Sequence, residues 1–373
     1  MSVRTYALVL FLCAQSACAT APQHIEATVL PEIEIDDSLE LISPDGHWEV
    51  LLDSEVGGMT LQAAGGEASN LFVPGTIVGD ITWSPDSRYL LVVVQGFDPA
   101  AEDTLTLRRS PGLWQVELQT PGDTSIKQLY ASATAEDGLT SVDAVHLGEW
   151  SPAGHLLFFW HGSSSASLQA DGLPLWVLDV DAERAKQIAS LALPNPHYQS
   201  WAPDGQALVF TSGGYRSALI DKQLKLYDLA ANEVTTLVSG DEQVPGAVSW
   251  SPVGDVIAYA AVPAEITAID WADQMDWANP AILGRRIYLL DPASGDYWRL
   301  NDVGAYQDTP VWDEQGQILY YVQRTGDSIT LMHMESGTDT AGSVPGCQVP
   351  LPSTVGYYGQ PSWDDLLACI PGD

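Results

Sequence analysis

Apolar residues in this chain fall in runs of about five, at residues 48–52, 89–94, 156–160, 207–210, 256–260, 318–322 and 366–370. The runs are rich in β-branched and aromatic side chains and too short for helices, so the pattern predicts strands. A polar turn precedes each one. It reads Ile42-Ser43-Pro44-Asp45-Gly46, Trp83-Ser84-Pro85-Asp86-Ser87, Trp150-Ser151-Pro152-Ala153-Gly154, Trp201-Ala202-Pro203-Asp204-Gly205, Trp250-Ser251-Pro252-Val253-Gly254 and Trp312-Asp313-Glu314-Gln315-Gly316. A shortened copy, Trp363-Asp364-Asp365, precedes the last run. Proline presets φ for a turn, and glycine near its end supplies positive φ. Each unit therefore predicts strand, tight turn, strand.

A third apolar segment follows at a variable distance, at 113–118, 175–179, 224–228 and 286–291, and a weaker copy lies at 328–332. More polar fourth segments follow, such as 127–130 and 297–300. Four antiparallel strands per repeat, at intervals of roughly 50 to 65 residues, predict an all-β fold, a β-propeller. Seven blades are expected if residues 25–30 and 32–35 complete the short last repeat and join the two ends of the chain. Six blades with a capping segment are the alternative. A single propeller domain over 22–373 is expected.

Over about residues 39–370 these repeats resemble the TolB-type propeller family, whose blades carry Trp-Ser-Pro-Asp-Gly before an apolar strand. The resemblance implies periplasmic or secreted binding and scaffold proteins, or the non-catalytic propellers of prolyl-oligopeptidase-type enzymes. The losses at Ala153, Val253 and Glu314 fit a structural turn. The repeat tryptophans are expected to pack blade against blade.

The start of the chain reads as an export signal. Arg4 supplies positive charge, residues 6–12 an apolar core too short to span a bilayer, and residues 14–21 are mostly small. Cleavage after Ala19 is one reading, and lipidation of Cys18 in a lipoprotein box is the other; both place the protein outside the cytoplasm. Two cysteines remain beyond this region, Cys347 and Cys369. In an oxidising compartment they are expected to pair, closing the last repeats together. With 14 Lys+Arg against 49 Asp+Glu, a net charge of −35, the surface repels nucleic acid and anionic membranes. Membrane association is expected only through a lipid anchor.

The long connections are at 95–112, 161–172, 211–223 and 261–285 between second and third strands, and at 131–148 and 301–308 between blades. In an up-and-down blade both classes emerge on one face, and loops on a rigid scaffold carry function. The largest insertion holds Asp270, Trp271, Asp273, Asp276 and Trp277, followed by Arg285. Tryptophans beside carboxylates predict a ligand platform; a short helix capping the propeller and burying its tryptophans is the competing reading. Arg285 suits an anion or a neighbouring acid. The sequence holds no Gly-x-Ser-x-Gly elbow, phosphate loop or His-Glu-x-x-His motif. The segment from His161 to Ser165 reads as a flexible loop. The expectation is an exported, non-catalytic monomer that binds a protein partner or small ligand through its long-loop face, with no cofactor or metal. The alternative is a hydrolase or lyase acting on glycans, with carboxylates at the channel mouth.

Overall fold

Six four-stranded antiparallel sheets, each with its strands in sequence order, make up the fold. A computed structural model describes residues 38–371 except 54–57, 64, 67, 98–109, 121–122, 137, 139, 164–170, 215–216, 265–275, 302, 339, 357–358 and 360. Residues Ser38–Asp373 form one compact unit. The all-β reading holds, but the blade number is six rather than seven. The segment expected as a strand of the last repeat instead contains a short helix, Asp364–Leu367. Its turn lacks the proline and glycine that reverse the chain elsewhere. Asp364 and Asp365 occupy the first helical turn, where negative charge is favoured. Residues 25–30 and 32–35, expected to complete a seventh blade, lie outside the described residues.

The repeated turn builds each blade locally. In blade 2, Ser84 Oγ donates to Asp86 Oδ1 at 2.7 Å, and the same carboxylate oxygen accepts Arg88 N–H at 3.1 Å. Tyr89 N–H returns to Ser84 Oγ at 2.9 Å, starting the second strand. The fifth turn position takes positive φ throughout, at Gly46, Ser87, Gly154, Gly205, Gly254 and Gly316. Five of the six are glycine, as that conformation favours. These positions also let successive turns nest. A Cβ on Gly154 would lie 3.4 Å from Pro85 of the preceding blade, and one on Gly254 3.3 Å from Pro203.

Apolar clusters join neighbouring blades. One combines Leu90, Val92 and Trp114 of blade 2 with Val50, Met59 and Leu61 of blade 1. Others join blades 2 and 3, 3 and 4, 4 and 5, and 5 and 6. All the repeat tryptophans except Trp363 lie in these seams: Trp150 Nε1 donates to Thr82 Oγ1 at 3.2 Å, and Trp201 Nε1 to the Glu149 carbonyl at 3.0 Å. Among the described residues no such cluster joins blade 6 to blade 1. The face of blade 6 turned away from blade 5 packs Tyr320, Leu331 and Cys347 against Leu367, Cys369 and Ile370 of the C-terminal segment. That segment finishes the last blade as a cap finishes a repeat array. Among the described residues no helix is long and apolar enough to cross a membrane.

Candidate functional site on the looped face

The antiparallel order puts the starts of the first and third strands of each blade on one face, with the ends of the second and fourth. Two side-chain clusters form there. The first is a roofed core over blades 4 to 6, and it takes in part of the predicted ligand platform. Trp277 is buried, with Val262, Ile282, Tyr306, Val322, Trp363 and Leu366 in one cluster. Its Nε1 donates to the Pro352 carbonyl at 2.8 Å, and its ring meets Tyr306 edge-on at 5.2 Å. Asp276 is exposed and accepts Ala278 N–H at 2.8 Å, a local turn contact. Asp270, Trp271 and Asp273 lie outside the described residues. Trp277 is therefore core rather than ligand surface. It is buried because the C-terminal segment folds over it, which the spacing of the insertion does not reveal. The short helix of this connection is Pro280–Leu283, with Asn279 capping Ala281 N–H.

Arg285 lies below this roof and is 1% exposed. Its Nη1 donates to Asp308 Oδ2 at 2.7 Å, and Nη2 donates to the Ala218 carbonyl at 3.3 Å. The same Asp308 oxygen accepts the Tyr306 hydroxyl at 2.7 Å, while Oδ1 accepts Thr309 N–H at 2.9 Å. Thr309 takes φ +49°, a strained value for a β-branched residue. Gly246 leaves room for the guanidinium, since a Cβ there would come 2.9 Å from Arg285 Nη2. Burial tends to discharge the guanidinium, but Asp308 outweighs it and Arg285 stays charged. Burial pushes the Tyr198 phenol up to about 12, Arg285 pulling the other way, and drives Tyr306 well above its ordinary value. Of the two partners that suit Arg285, an anionic ligand and a neighbouring acid, the acid is the one observed; the guanidinium does not face solvent.

The second cluster lies between blades 2 and 3. His161 lies within the strand Leu156–Ser163, two residues from its end, so the predicted loop begins later than expected. Its Nδ1 lies 3.1 Å from the Tyr130 hydroxyl, at the end of the fourth strand of blade 2. Its Nε2 lies 3.1 Å from Asp143 Oδ2, at the start of the first strand of blade 3, though off the direction of a good hydrogen bond. With its proton on Nε2, facing the Asp143 carboxylate, neutral His161 accepts from the Tyr130 hydroxyl through Nδ1. Asp143 Oδ2 is held by Ala133 N–H at 2.7 Å. The His161 and Asp143 side chains are 14% and 16% exposed, so the cluster is half-closed rather than sealed. Burial raises the Tyr130 phenol, and the Asp143 charge adds to the rise. Between the first strands of blades 2 and 3, Asp80 Oδ2 accepts Leu147 N–H at 2.9 Å and lies 3.7 Å from His146 Nδ1. Hydroxyl, imidazole and carboxylate in line have the polarity of a nucleophile–base–orienter set. Among the described residues no group of three or more His, Cys, Asp or Glu is arranged to hold a metal.

No protein-family model and no curated protein matches the chain. Solved structures share its fold. A putative dipeptidyl aminopeptidase IV from Bacteroides ovatus has 11% identity and a TM-score of 0.50, over 86% of this chain and 47% of that one. An oligogalacturonate lyase in complex with manganese has 14% identity and a TM-score of 0.48, over 81% and 74%. TolB from Acinetobacter baumannii has 15% identity and a TM-score of 0.38, over 82% and 62%. The chain thus spans less than two thirds of the length of that TolB. The fold is a β-propeller. The expectation of a non-catalytic binding propeller does not survive, because propellers of this kind also occur in peptidases. The fold gives no ground for excluding catalysis.

Proposed function

We propose that the chain is an acid–base enzyme working from the looped face between blades 2 and 3. The observation that carries this reading is His161 placed between the Tyr130 hydroxyl and the Asp143 carboxylate at 3.1 Å on each side. Tyr130 is the group that exchanges a proton with substrate, His161 relays that proton, and Asp143 orients the imidazole and stabilises its charged form. The raised Tyr130 phenol stays protonated at neutral pH, so proton transfer depends on His161. Turnover of chromogenic esters and peptide anilides tests this directly. Tyr130→Phe and His161→Gln should each lower the rate by roughly a hundredfold or more with the melting transition unchanged. Turnover that is insensitive to both changes, or no wild-type turnover on either substrate class, sinks the reading.

We further propose that this chemistry takes place outside the cytoplasm, on a protein that also meets a protein partner. The export-type start and Cys18 support the location, and the surplus of 35 negative charges supports a cationic partner. Fractionation of cells expressing wild type and Cys18→Ser tests both parts. A lipid anchor predicts movement from the membrane to the soluble fraction, and a cationic partner co-purifies less as salt rises. Wild-type protein confined to the cytoplasm, or salt-insensitive capture, counts against the proposal.

A further inference from the structure

We propose that Cys347 and Cys369 form a redox latch that fastens the C-terminal segment across the looped face. Cys347 is buried in the outermost strand of blade 6, Ala341–Pro350, and Cys369 is half-buried just beyond the helix Asp364–Leu367. The two share an apolar cluster with Tyr320, Leu331 and Ile370. The Cys347 thiol donates to the Pro345 carbonyl at 3.7 Å, and the neighbouring Cys369 thiol together with burial raises Cys347. Neither sulfur is in a disulfide in this structure.

The described residues between the two cysteines make the roof described above. They place Val355, Trp363 and Leu366 over Trp277 and Tyr306. Among the described residues, a handful of polar contacts hold the roof there. Leu351 N–H bonds the Asp327 carbonyl at 2.8 Å, and the Pro352 carbonyl accepts Trp277 Nε1. Trp363 Nε1 reaches the Tyr306 hydroxyl at a long 3.4 Å, and His197 meets Asp364 at 3.1 Å in an exposed contact. A bond between Cys347 and Cys369 would join the root of the roof to its end, so that every residue between them lies in one closed loop.

The chemistry is thiol–disulfide exchange with an external disulfide such as oxidised glutathione. Cys369, the more exposed thiol, loses its proton and attacks one sulfur of the external disulfide. One glutathione thiolate leaves, and a mixed disulfide remains on Cys369. Cys347 then loses its proton and attacks the Cys369 sulfur, releasing the second glutathione thiolate. Two protein thiols are oxidised to one disulfide, and one external disulfide is reduced to two thiols. The oxidised latch holds the roof shut over the Arg285–Asp308 cluster; the reduced one leaves it to side-chain packing and those few polar contacts.

Full-length protein equilibrated with oxidised or reduced glutathione gives the test, read by disulfide peptide mapping and amide exchange over residues 351–370. The expected result is a Cys347–Cys369 peptide pair in the oxidised sample and exchange there at least roughly tenfold slower than in the reduced one. Cys347→Ser and Cys369→Ser should each remove the difference while the six sheets keep their protection. A crosslink that instead involves Cys13 or Cys18, no crosslink at all, or a Cys347–Cys369 bond that leaves exchange unchanged overturns the proposal.

Discussion

Arg285→Met should cost about 3–5 kcal/mol of stability, because it leaves the Asp308 carboxylate buried without its cation. Asp308 is 1% exposed and would keep the Tyr306 hydroxyl and Thr309 N–H, two hydrogen bonds that cannot replace a full charge. The loss should appear as a lower urea midpoint at unchanged m-value, since the surface exposed on unfolding is the same. Breaking a buried pair is expensive chiefly because of the charge left behind, so removing both partners should cost less. Arg285→Met/Asp308→Leu is therefore expected to be more stable than Arg285→Met alone, with a coupling well beyond the roughly 0.5 kcal/mol of independent sites. Additive single changes would show that the two charges do not act as a unit. The pair joins blade 5 to blade 6 and, through the Ala218 carbonyl, to blade 4. Its loss should loosen those three blades before the first three.

The repeat period, the turns and most third strands were legible in the sequence because they depend on local chemistry. Pro85 and the positive φ at Ser87 act within five residues, and the apolar run at 89–94 has the strand's composition in itself. The last repeat misled for the same reason. Trp363 keeps the repeat's tryptophan, but the turn beside it lacks proline and glycine, and two acids at the start of a short apolar run favour a helix. Contacts between distant segments were not legible. The partner of Trp277 is Pro352, and Arg285 meets Asp308 and Ala218, pairings that follow from how blades stack rather than from any spacing. Asp143 and His161 had a usable signal. Counting outward from the turn after Trp150 brings both to the looped end of one hairpin, and the bulge between Leu157 and Phe159 shifts the register there by one residue. Tyr130 comes from the neighbouring blade, so no count within a single repeat reaches it.

Trp363→Ala should free the roof without dissolving the propeller. The indole is buried in the cluster that joins the C-terminal segment to Trp277, Tyr306 and Val322, and removing a core tryptophan costs about 3–5 kcal/mol where the site cannot collapse. That cost falls on a segment with its own local opening, so the segment should detach before the sheets unfold. A local loss near 3 kcal/mol corresponds to roughly a hundredfold faster amide exchange. The acceleration is expected over residues 351–370, with the strands around Leu90, Val209 and Tyr259 unaffected. Proteolysis should follow the same pattern and cut first between Pro352 and Trp363. Trp150→Ala offers the contrast, since that tryptophan lies in the seam between blades 2 and 3 and hydrogen-bonds Thr82. Its loss should loosen two blades and leave the C-terminal segment protected. If both variants unfold the whole chain together, Trp363 is one more seam residue. If only the roof responds to Trp363→Ala, the chain has used a repeat-like tryptophan as the plug that closes its looped face.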